Sequence, residues 1–154
     1  MIKTLNTLFV TMFGLGKIPK IPGTFGSLAT IIILYFFFHK LNLSSNLILI
    51  GLIITFIISF PAVALHIKEN ENKDPKEIII DEFIGQVITA MFLEYNFLNL
   101  LLAFVLFRFF DIVKIFPADY IDKNYSGCFG IVLDDIVAAL QAASVILFIN
   151  VYII

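Results

Sequence analysis

The amino-acid sequence predicts an all-α fold, a compact bundle of helices that crosses a membrane several times. Of its 154 residues, 60% are hydrophobic and only 14% are charged, whereas soluble domains average about 45–50% apolar and about 25% charged residues. The mean hydropathy is +1.03. A water-soluble domain of this composition would have an almost wholly apolar surface, so the composition excludes a soluble globule and a disordered chain. We expect one membrane domain over residues 1–154.

The net charge and the cysteine content exclude further classes of protein. The net charge of −2 provides no basic surface for a phosphate backbone, so we expect no nucleic-acid partner. The single cysteine, Cys128, excludes an internal disulfide framework and a metal site built from several cysteines.

Two long uncharged segments give the clearest membrane-spanning helices. Residues 41–67 and 136–154 contain no Asp, Glu, Lys or Arg. A stretch of about 19 residues from either segment forms a helix of about 28 Å, close to the hydrocarbon thickness of about 30 Å. Pro61 lies in the first segment, where neighbouring helices can satisfy the carbonyl group that it leaves unpaired.

Shorter apolar runs complete the predicted bundle. Residues 26–38 follow a Pro-Gly-Thr turn, and the two runs that flank Glu94 and Tyr95 are typical of a helical hairpin. Residues 2–13 are apolar, and no small-x-small cleavage site follows them. We therefore expect an interfacial or partly inserted helix there rather than a cleaved signal peptide. In addition to this helix, we predict four to five spans, near residues 26–39, 47–66, 80–94, 96–110 and 136–154.

The lysines of the connecting segments fall mainly on one side of this topology. Lys40 is on the other side. An excess of lysine in short loops marks the cytoplasmic face of a membrane protein, so we predict that the loops on the lysine-rich side face the cytoplasm. Those loops carry Lys17, Lys20, Lys68, Lys73, Lys76, Lys114 and Lys123.

The first loop on this side, GLGKIPKIPGTFGS at residues 14–27, is rich in glycine. Glycine lets a backbone approach a ligand closely, and a helix beginning here would present free N–H groups and a positive dipole end, which suit a phosphate. Thr24 or Ser27 can cap that helix, and Lys17 and Lys20 can add positive charge. The alternative interpretation is a loop that needs glycine and proline only for its turns.

Charged residues also mark the second and third loops. Asp81 and Glu82 begin an apolar run, where a charge is costly unless it faces a cavity or a partner. The alternative is that they reach the membrane interface, aided by the helix dipole. Arg108, Asp111 and Lys114 share one face of a helix at three-residue spacing, which suits either a site or a simple ladder of ion pairs.

A second acidic pair, Asp134 and Asp135, precedes the last predicted span. Successive helical positions point about 100° apart, so one carboxylate can bind an ion while the other supports it. Oxygen ligands without His or Cys nearby suit Mg²⁺ rather than Zn²⁺. Because no protein nucleophile of a known phosphatase type is evident, direct attack by a metal-activated water is the simplest mechanism. We interpret His39 and His66, at the ends of spans, as structural residues.

Three segments of the chain resemble motifs of the phosphatidylglycerophosphatase A family, in that family's order and spacing. They read GLGKIPKIPGTFGSLAT, KDPKEIIIDEFIGQ and FRFFDIVKIFPADYIDKNYSGCFGIVLDDIVAA, and they extend over residues 14–143. The resemblance implies an all-helical, Mg²⁺-dependent lipid phosphatase of the bacterial inner membrane, which converts phosphatidylglycerol phosphate into phosphatidylglycerol and inorganic phosphate. The chain departs from the family pattern at Ile21 and Cys128, where alanine and glycine are usual, at Ile115, where the family has proline, and at Ala139, where it has glycine. None of these departures removes a charged group.

The resemblance also implies roles for individual residues. Asp81, Glu82, Asp134 and Asp135 would bind the Mg²⁺ ion, and one of them or Asp111 would orient the attacking water. Lys73 and Asp74 also match motif positions. The residues expected to hold the phosphate are Lys17, Thr24, Ser27, Arg108 and Lys114.

Two alternative functions remain open at the level of sequence. A small cation transporter or channel could use the same acids as a gate, although it would place them deep within the spans rather than at one end. A phosphatase that acts on another lipid phosphate, such as phosphatidate, would have the same charged motifs. A CDP-alcohol phosphotransferase would need a spaced Asp-Gly, Ala-Arg, Gly and Asp pattern that the chain lacks.

Overall fold

The structure, a computed structural model, describes residues 2–70, 75–94 and 96–152. Over these residues the chain is all-helical and contains no strand, which confirms the predicted fold class. A single 3₁₀ turn, Leu15–Lys17, follows the first helix. The helices are α1 (Ile2–Val10), α2 (Pro22–His39), α3 (Ser45–Asn70), α4 (Ile80–Ala90), α5 (Phe97–Val113), α6 (Ala118–Asn124) and α7 (Cys128–Tyr152).

Three described helices are long and apolar enough to cross a membrane. They are α2, α3 and the Cys128–Ile149 part of α7. Helices α2 and α3 contain the predicted spans over residues 26–39 and 47–66, and α7 contains the described part of the span predicted over residues 136–154. Helix α3 continues through Pro61 without a break. The two remaining predicted spans correspond to shorter helices. Helix α5 has 17 residues, and α4 has 11, which gives α4 a length of only about 16 Å.

Helix α4 ends earlier than the predicted span over residues 80–94. The chain turns at Met91, whose N–H donates to the carbonyl groups of Val87 and Ile88, and Leu93 N then donates to Ala90 O. Asn96 begins the next helix, because its side chain accepts a hydrogen bond from Asn99 N as an N-cap. The sequence did not predict this end of the helix, because the residues on both sides of it are apolar. Tyr95, which belongs to the predicted turn, lies outside the described residues.

The short helix α4 lies at the centre of the bundle and packs against α2, α3, α5 and α7. Its contact with α7 is close, since Thr89 Oγ1 lies 3.5 Å from Ala139 O. A Cβ atom on Gly85 would lie 2.5 Å from the ring of Phe107 in α5. Small side chains allow this approach, and buried Ala138, Ala139 and Ala142 of α7 pack with Phe107.

The N-terminal helix α1 is fixed to the bundle at two points. Asn6 Nδ2 donates to Ala62 O of α3 at 3.0 Å, and Ile79 N donates to Val10 O at 3.0 Å. The opposite face of α1 exposes Ile2 and other apolar side chains. The predicted helix is therefore present, and its exposed apolar face suits a place in the membrane interface.

The outer surface of the long helices is apolar. Ile32, Ile57 and Leu98 are 61%, 63% and 73% exposed, and many other large apolar side chains of α2, α3, α5 and α7 are also exposed. Contiguous apolar surface of this extent is incompatible with water and suits lipid chains. Polar and charged side chains are concentrated at one end of these helices.

Candidate active site

A cavity of about 790 Å³ opens at the end of the bundle where α2 begins and α5 ends. The start of α2, the first turn of α4, the end of α5 and the first turns of α7 form its walls. All five predicted catalytic carboxylates line this cavity: Asp81, Glu82, Asp111, Asp134 and Asp135.

Three of these carboxylates form a compact cluster. Asp81, Glu82 and Asp135 each offer an oxygen atom, and the three atoms lie within 4.8 Å of one another. Asp81 and Asp135 are only 7% and 5% exposed. The close contact between α4 and α7 brings them together, because a Cβ atom on Gly85 would lie 3.1 Å from Asp135 O.

Several oxygen atoms of these acids are buried and lack a hydrogen-bond partner among the described residues. They are Glu82 Oε2, Asp135 Oδ2 and Asp134 Oδ1. A buried carboxylate without a partner is strongly unfavourable, and a bound cation would stabilise the charged form of these acids. Several carboxylate oxygens converging without His or Cys form the ligand set of a hard divalent cation, and the residues present therefore fit Mg²⁺.

Arg108 supplies positive charge beside the acid cluster. Its Nη1 atom forms an ion pair with Asp111 Oδ2 and lies 3.9 Å from Glu82 Oε1. Its Nε atom is buried without a hydrogen-bond partner in the described part of the chain. The guanidinium group is thus oriented by the acids Asp111 and Glu82, and it lines the cavity beside the acid cluster.

Lys114 connects three helices instead of projecting freely into the cavity. It follows α5 in a left-handed conformation with φ of 49°, and its Nζ atom bonds Asp122 Oδ1 at 2.5 Å and Asp134 Oδ2 at 2.6 Å. Burial alone would lower the pKa of Lys114, but the hydrogen bonds to Asp122 and Asp134 outweigh it and raise that pKa above its usual value. The ammonium group is therefore charged at physiological pH and positions Asp134.

Asp122, on α6, is a residue of the site that the sequence did not indicate. Its contact with Lys114 depends on the turn over residues 114–117, which returns α6 towards α7. Lys114 and Asp122 are eight residues apart and do not belong to one helix, so the spacing of residues along one helix could not predict their contact.

The glycine-rich loop brings the start of α2 directly to the acids. Pro22, Gly23 and Thr24 line the cavity, and Pro22 occupies the first helical position, where its missing N–H costs nothing. A Cβ atom on Gly23 would lie 2.0 Å from Glu82 Oε1. The close approach expected of this loop is therefore present, and the amide groups of the first turn of α2 stand beside the acid cluster.

Two residues predicted to hold phosphate lie outside the wall of this cavity. Ser27 is buried, and its hydroxyl donates to Gly23 O at 3.0 Å within α2. Lys17 is exposed and lines a neighbouring depression. Lys73 and Asp74, which also matched motif positions, lie outside the described residues.

His66 occupies a structural position. It is 1% exposed, and its Nε2 atom lies 2.8 Å from Glu77 Oε1. This pair links α3 to the segment that precedes α4, and His66 does not line the acidic cavity.

Comparison with known proteins gives one family. The family model described as phosphatidylglycerophosphatase A matches residues 8–150. A protein of Escherichia coli named phosphatidylglycerophosphatase A is 37% identical over 145 residues, which cover 93% of this chain and 82% of the relative. A protein of the same name from Haemophilus influenzae is 35% identical over 140 residues, covering 90% and 85%.

A third relative has a different name. The putative phosphatidylinositol-3-phosphatase of Bacteroides thetaiotaomicron is 30% identical over 142 residues, which cover 90% of this chain and 89% of the relative. No solved structure gives a significant match.

Proposed function

The chain belongs to the phosphatidylglycerophosphatase A family of lipid phosphatases, and from that premise we propose that it hydrolyses phosphatidylglycerol phosphate with the help of Mg²⁺. The products are phosphatidylglycerol and inorganic phosphate. The observation that carries the proposal is the buried acid cluster of Asp81, Glu82 and Asp135 beside Arg108. It combines a set of cation ligands with a phosphate-binding group in one cavity.

The acids of α4 and α7 would hold the ion. Asp81, Glu82 and Asp135 have converging oxygens, and Asp134 is adjacent to Asp135 in α7 and has one oxygen without a partner among the described residues. In this position Mg²⁺ would polarise a phosphoryl oxygen and make water more acidic.

The phosphate group would be held by Arg108 and by the first turn of α2. The guanidinium group and the amide N–H groups near Gly23 face the same cavity. Donors fixed in advance stabilise the negative charge that develops on the equatorial oxygens of the phosphoryl group. Asp111 would hold Arg108 in place through their ion pair.

Hydrolysis would break the bond between phosphorus and the terminal glycerol oxygen. The oxygen of a water molecule forms the new bond to phosphorus, and the glycerol oxygen leaves and takes up a proton. We assign to Asp134 the role of accepting the proton of the water and returning it to the glycerol oxygen; this role is supported by the contact of Lys114 with its Oδ2 atom and by an Oδ1 atom that has no described partner. The lipid chains would stay beside the apolar faces of the long helices.

We also propose that this chemistry faces the cytoplasm at a bacterial inner membrane. Support comes from the lysine-rich segments, which lie at the same end of the bundle as the cavity, and from the bacterial relatives.

The direct test is phosphate release from a panel of lipid phosphates in detergent micelles. We expect turnover of phosphatidylglycerol phosphate that is abolished by EDTA and restored by Mg²⁺. Asp81→Asn should lower kcat by about 100-fold or more, because it removes a ligand of the ion. Asp119→Asn is the matched control, since Asp119 pairs with Lys123 on the surface and does not line the cavity.

Undiminished turnover by folded Asp81→Asn protein would contradict the assignment of the site. Faster turnover of phosphatidate or phosphatidylinositol 3-phosphate than of phosphatidylglycerol phosphate would contradict the assignment of the substrate.

A further inference from the structure

A second depression, of about 580 Å³, adjoins the acidic cavity. It lies between the glycine-rich loop and the segment that leads into α4. The two cavities share part of their lining, because Lys20, Pro22 and Lys76 border both of them. A ligand that extends from one cavity into the other therefore passes along this shared wall.

The second depression is basic, in contrast to the first. Lys17, Lys20 and Lys76 line it and are exposed, and none of them forms an ion pair with a described acid. Glu77 also lines the depression, but its carboxylate contacts buried His66 at 2.8 Å. Three lysines thus provide positive charge at the surface without a carboxylate from the described residues to neutralise it.

The walls of this depression are fixed by backbone contacts. A Cβ atom on Gly16 would lie 1.9 Å from Glu77 O, so the glycine-rich loop packs directly against the backbone of the second segment. Lys20 has a φ of 83°, a conformation that turns the chain from this loop into α2. The lysines therefore border a defined depression and are not simply mobile groups on an open surface.

We propose that this basic depression binds the phosphodiester of a lipid whose terminal phosphomonoester occupies the acidic cavity. The inference rests on the proposed function, in which the substrate carries both groups, separated by a glycerol unit. A phosphomonoester with about two negative charges suits a cation and Arg108, whereas a diester with one charge suits lysine ammonium groups. The substrates named for the relatives above, a phosphatidylglycerol phosphate and a phosphatidylinositol phosphate, both carry one diester and one monoester.

The test separates binding of the diester from catalysis. Phosphatidylglycerol contains the diester but no monoester, and inorganic phosphate represents the monoester alone. The inhibition constants of both compounds are measured in neutral detergent micelles, for the unaltered protein and for the variants Lys17→Gln, Lys76→Gln and the double variant. Lys68→Gln is the matched control, because Lys68 is exposed at the end of α3 and borders neither cavity.

The double variant should raise the KM for phosphatidylglycerol phosphate and the inhibition constant of phosphatidylglycerol by about tenfold each, with kcat changed less than about twofold. Inhibition by inorganic phosphate and the behaviour of Lys68→Gln should remain unchanged. Calorimetric binding of phosphatidylglycerol to Asp81→Asn protein should weaken to the same extent when the two lysines are replaced. This measurement requires no turnover, so it tests the depression even if the proposed reaction fails.

Unchanged inhibition by phosphatidylglycerol in the double variant would overturn the proposal. An equal loss of inhibition by oleate, which is anionic but contains no phosphorus, would also overturn it, because the lysines would then respond to surface charge and not to a phosphodiester.

Discussion

At the scale of single residues, Gly23 shows how closely the site is built. Its missing side chain leaves the space that Glu82 Oε1 occupies, and Arg108 Nη1 would lie 3.2 Å from an added Cβ atom. A methyl group there would displace the end of the Glu82 side chain, which can move, and not a backbone segment. The fold should therefore survive while the acid cluster loses its geometry.

We expect Gly23→Ala to lower kcat/KM by about 10- to 100-fold, because a displacement of about 1 Å at a reacting group has effects of that size. Gly51→Ala is the matched control. Apart from its two chain neighbours and the nearby backbone of its own helix, no described heavy atom lies within 4 Å of a Cβ atom added to Gly51, and alanine favours a helix over glycine by about 1 kcal/mol. Steady-state kinetics and thermal unfolding in detergent measure both variants, and equal activity of the two would contradict the close contact at Gly23.

The sequence predicted which residues belong to the site better than it predicted which of them contact one another. Acids at the start of an apolar helix are costly, and that cost indicated Asp81 and Glu82 before any geometry was known. Asp134 and Asp135 were indicated together, as an acidic pair just before the last apolar segment. The engagement of Lys114 by Asp122 and Asp134 was not predictable, because it depends on how the chain turns after α5. Lys17 was assigned to phosphate binding from its glycine-rich loop and from the family motif, and the fold places it in a depression next to the acidic cavity.

At the scale of elements, α4 determines how the acids meet. It contributes Asp81 and Glu82 in its first turn and contacts four other helices. The sequence predicted the helix and its start at residue 80, because an apolar run begins there with acids that favour a helix N-terminus. It did not predict the end at Ala90, because the residues that follow are also apolar and contain no glycine or proline.

The packing of α4 depends on Gly85. A Cβ atom there would lie 2.5 Å from the ring of Phe107, which is fully buried. We expect Gly85→Ala to destabilise the protein by about 1–3 kcal/mol through overpacking. Phe107→Leu should relieve part of this cost, so the double variant should be more stable than the sum of the single changes indicates. Thermal unfolding of the detergent-solubilised variants measures the effect, and strictly additive changes would refute the contact.

At the scale of the whole molecule, apolar and charged surfaces are separated along the bundle. The long helices expose Ile57, Leu98 and similar side chains along their length, while the cavity occupies one end. The apolar segments were predictable from composition, because hydrocarbon lipid admits few charges. The number of spans was less predictable, because length and not only composition decides whether a helix such as α4 can cross a membrane.

The orientation of the bundle can be tested with single cysteines in a Cys128→Ser background. Asn124 ends α6 beside the cavity, and Asn42 lies in the connection between α2 and α3 at the other end of α2; both are exposed. If the lysine-rich end faces the cytoplasm, a membrane-impermeant maleimide should label Asn42→Cys in intact spheroplasts and Asn124→Cys only in inverted vesicles. The reverse pattern would place the cavity on the outer side.

The close contact between α4 and α7 has a consequence for the size of the cation that we propose for this site. Ala139 of α7 lies beside Thr89 of α4, and the separation of these two helices sets the distance between the carboxylates of Asp81 and Asp135. Mg²⁺ needs short ligand distances and near-octahedral geometry, whereas Ca²⁺ accepts longer distances and more ligands. A larger side chain at Ala139, although uncharged, would spread the carboxylates and shift the preference of the proposed site from the smaller ion towards the larger one.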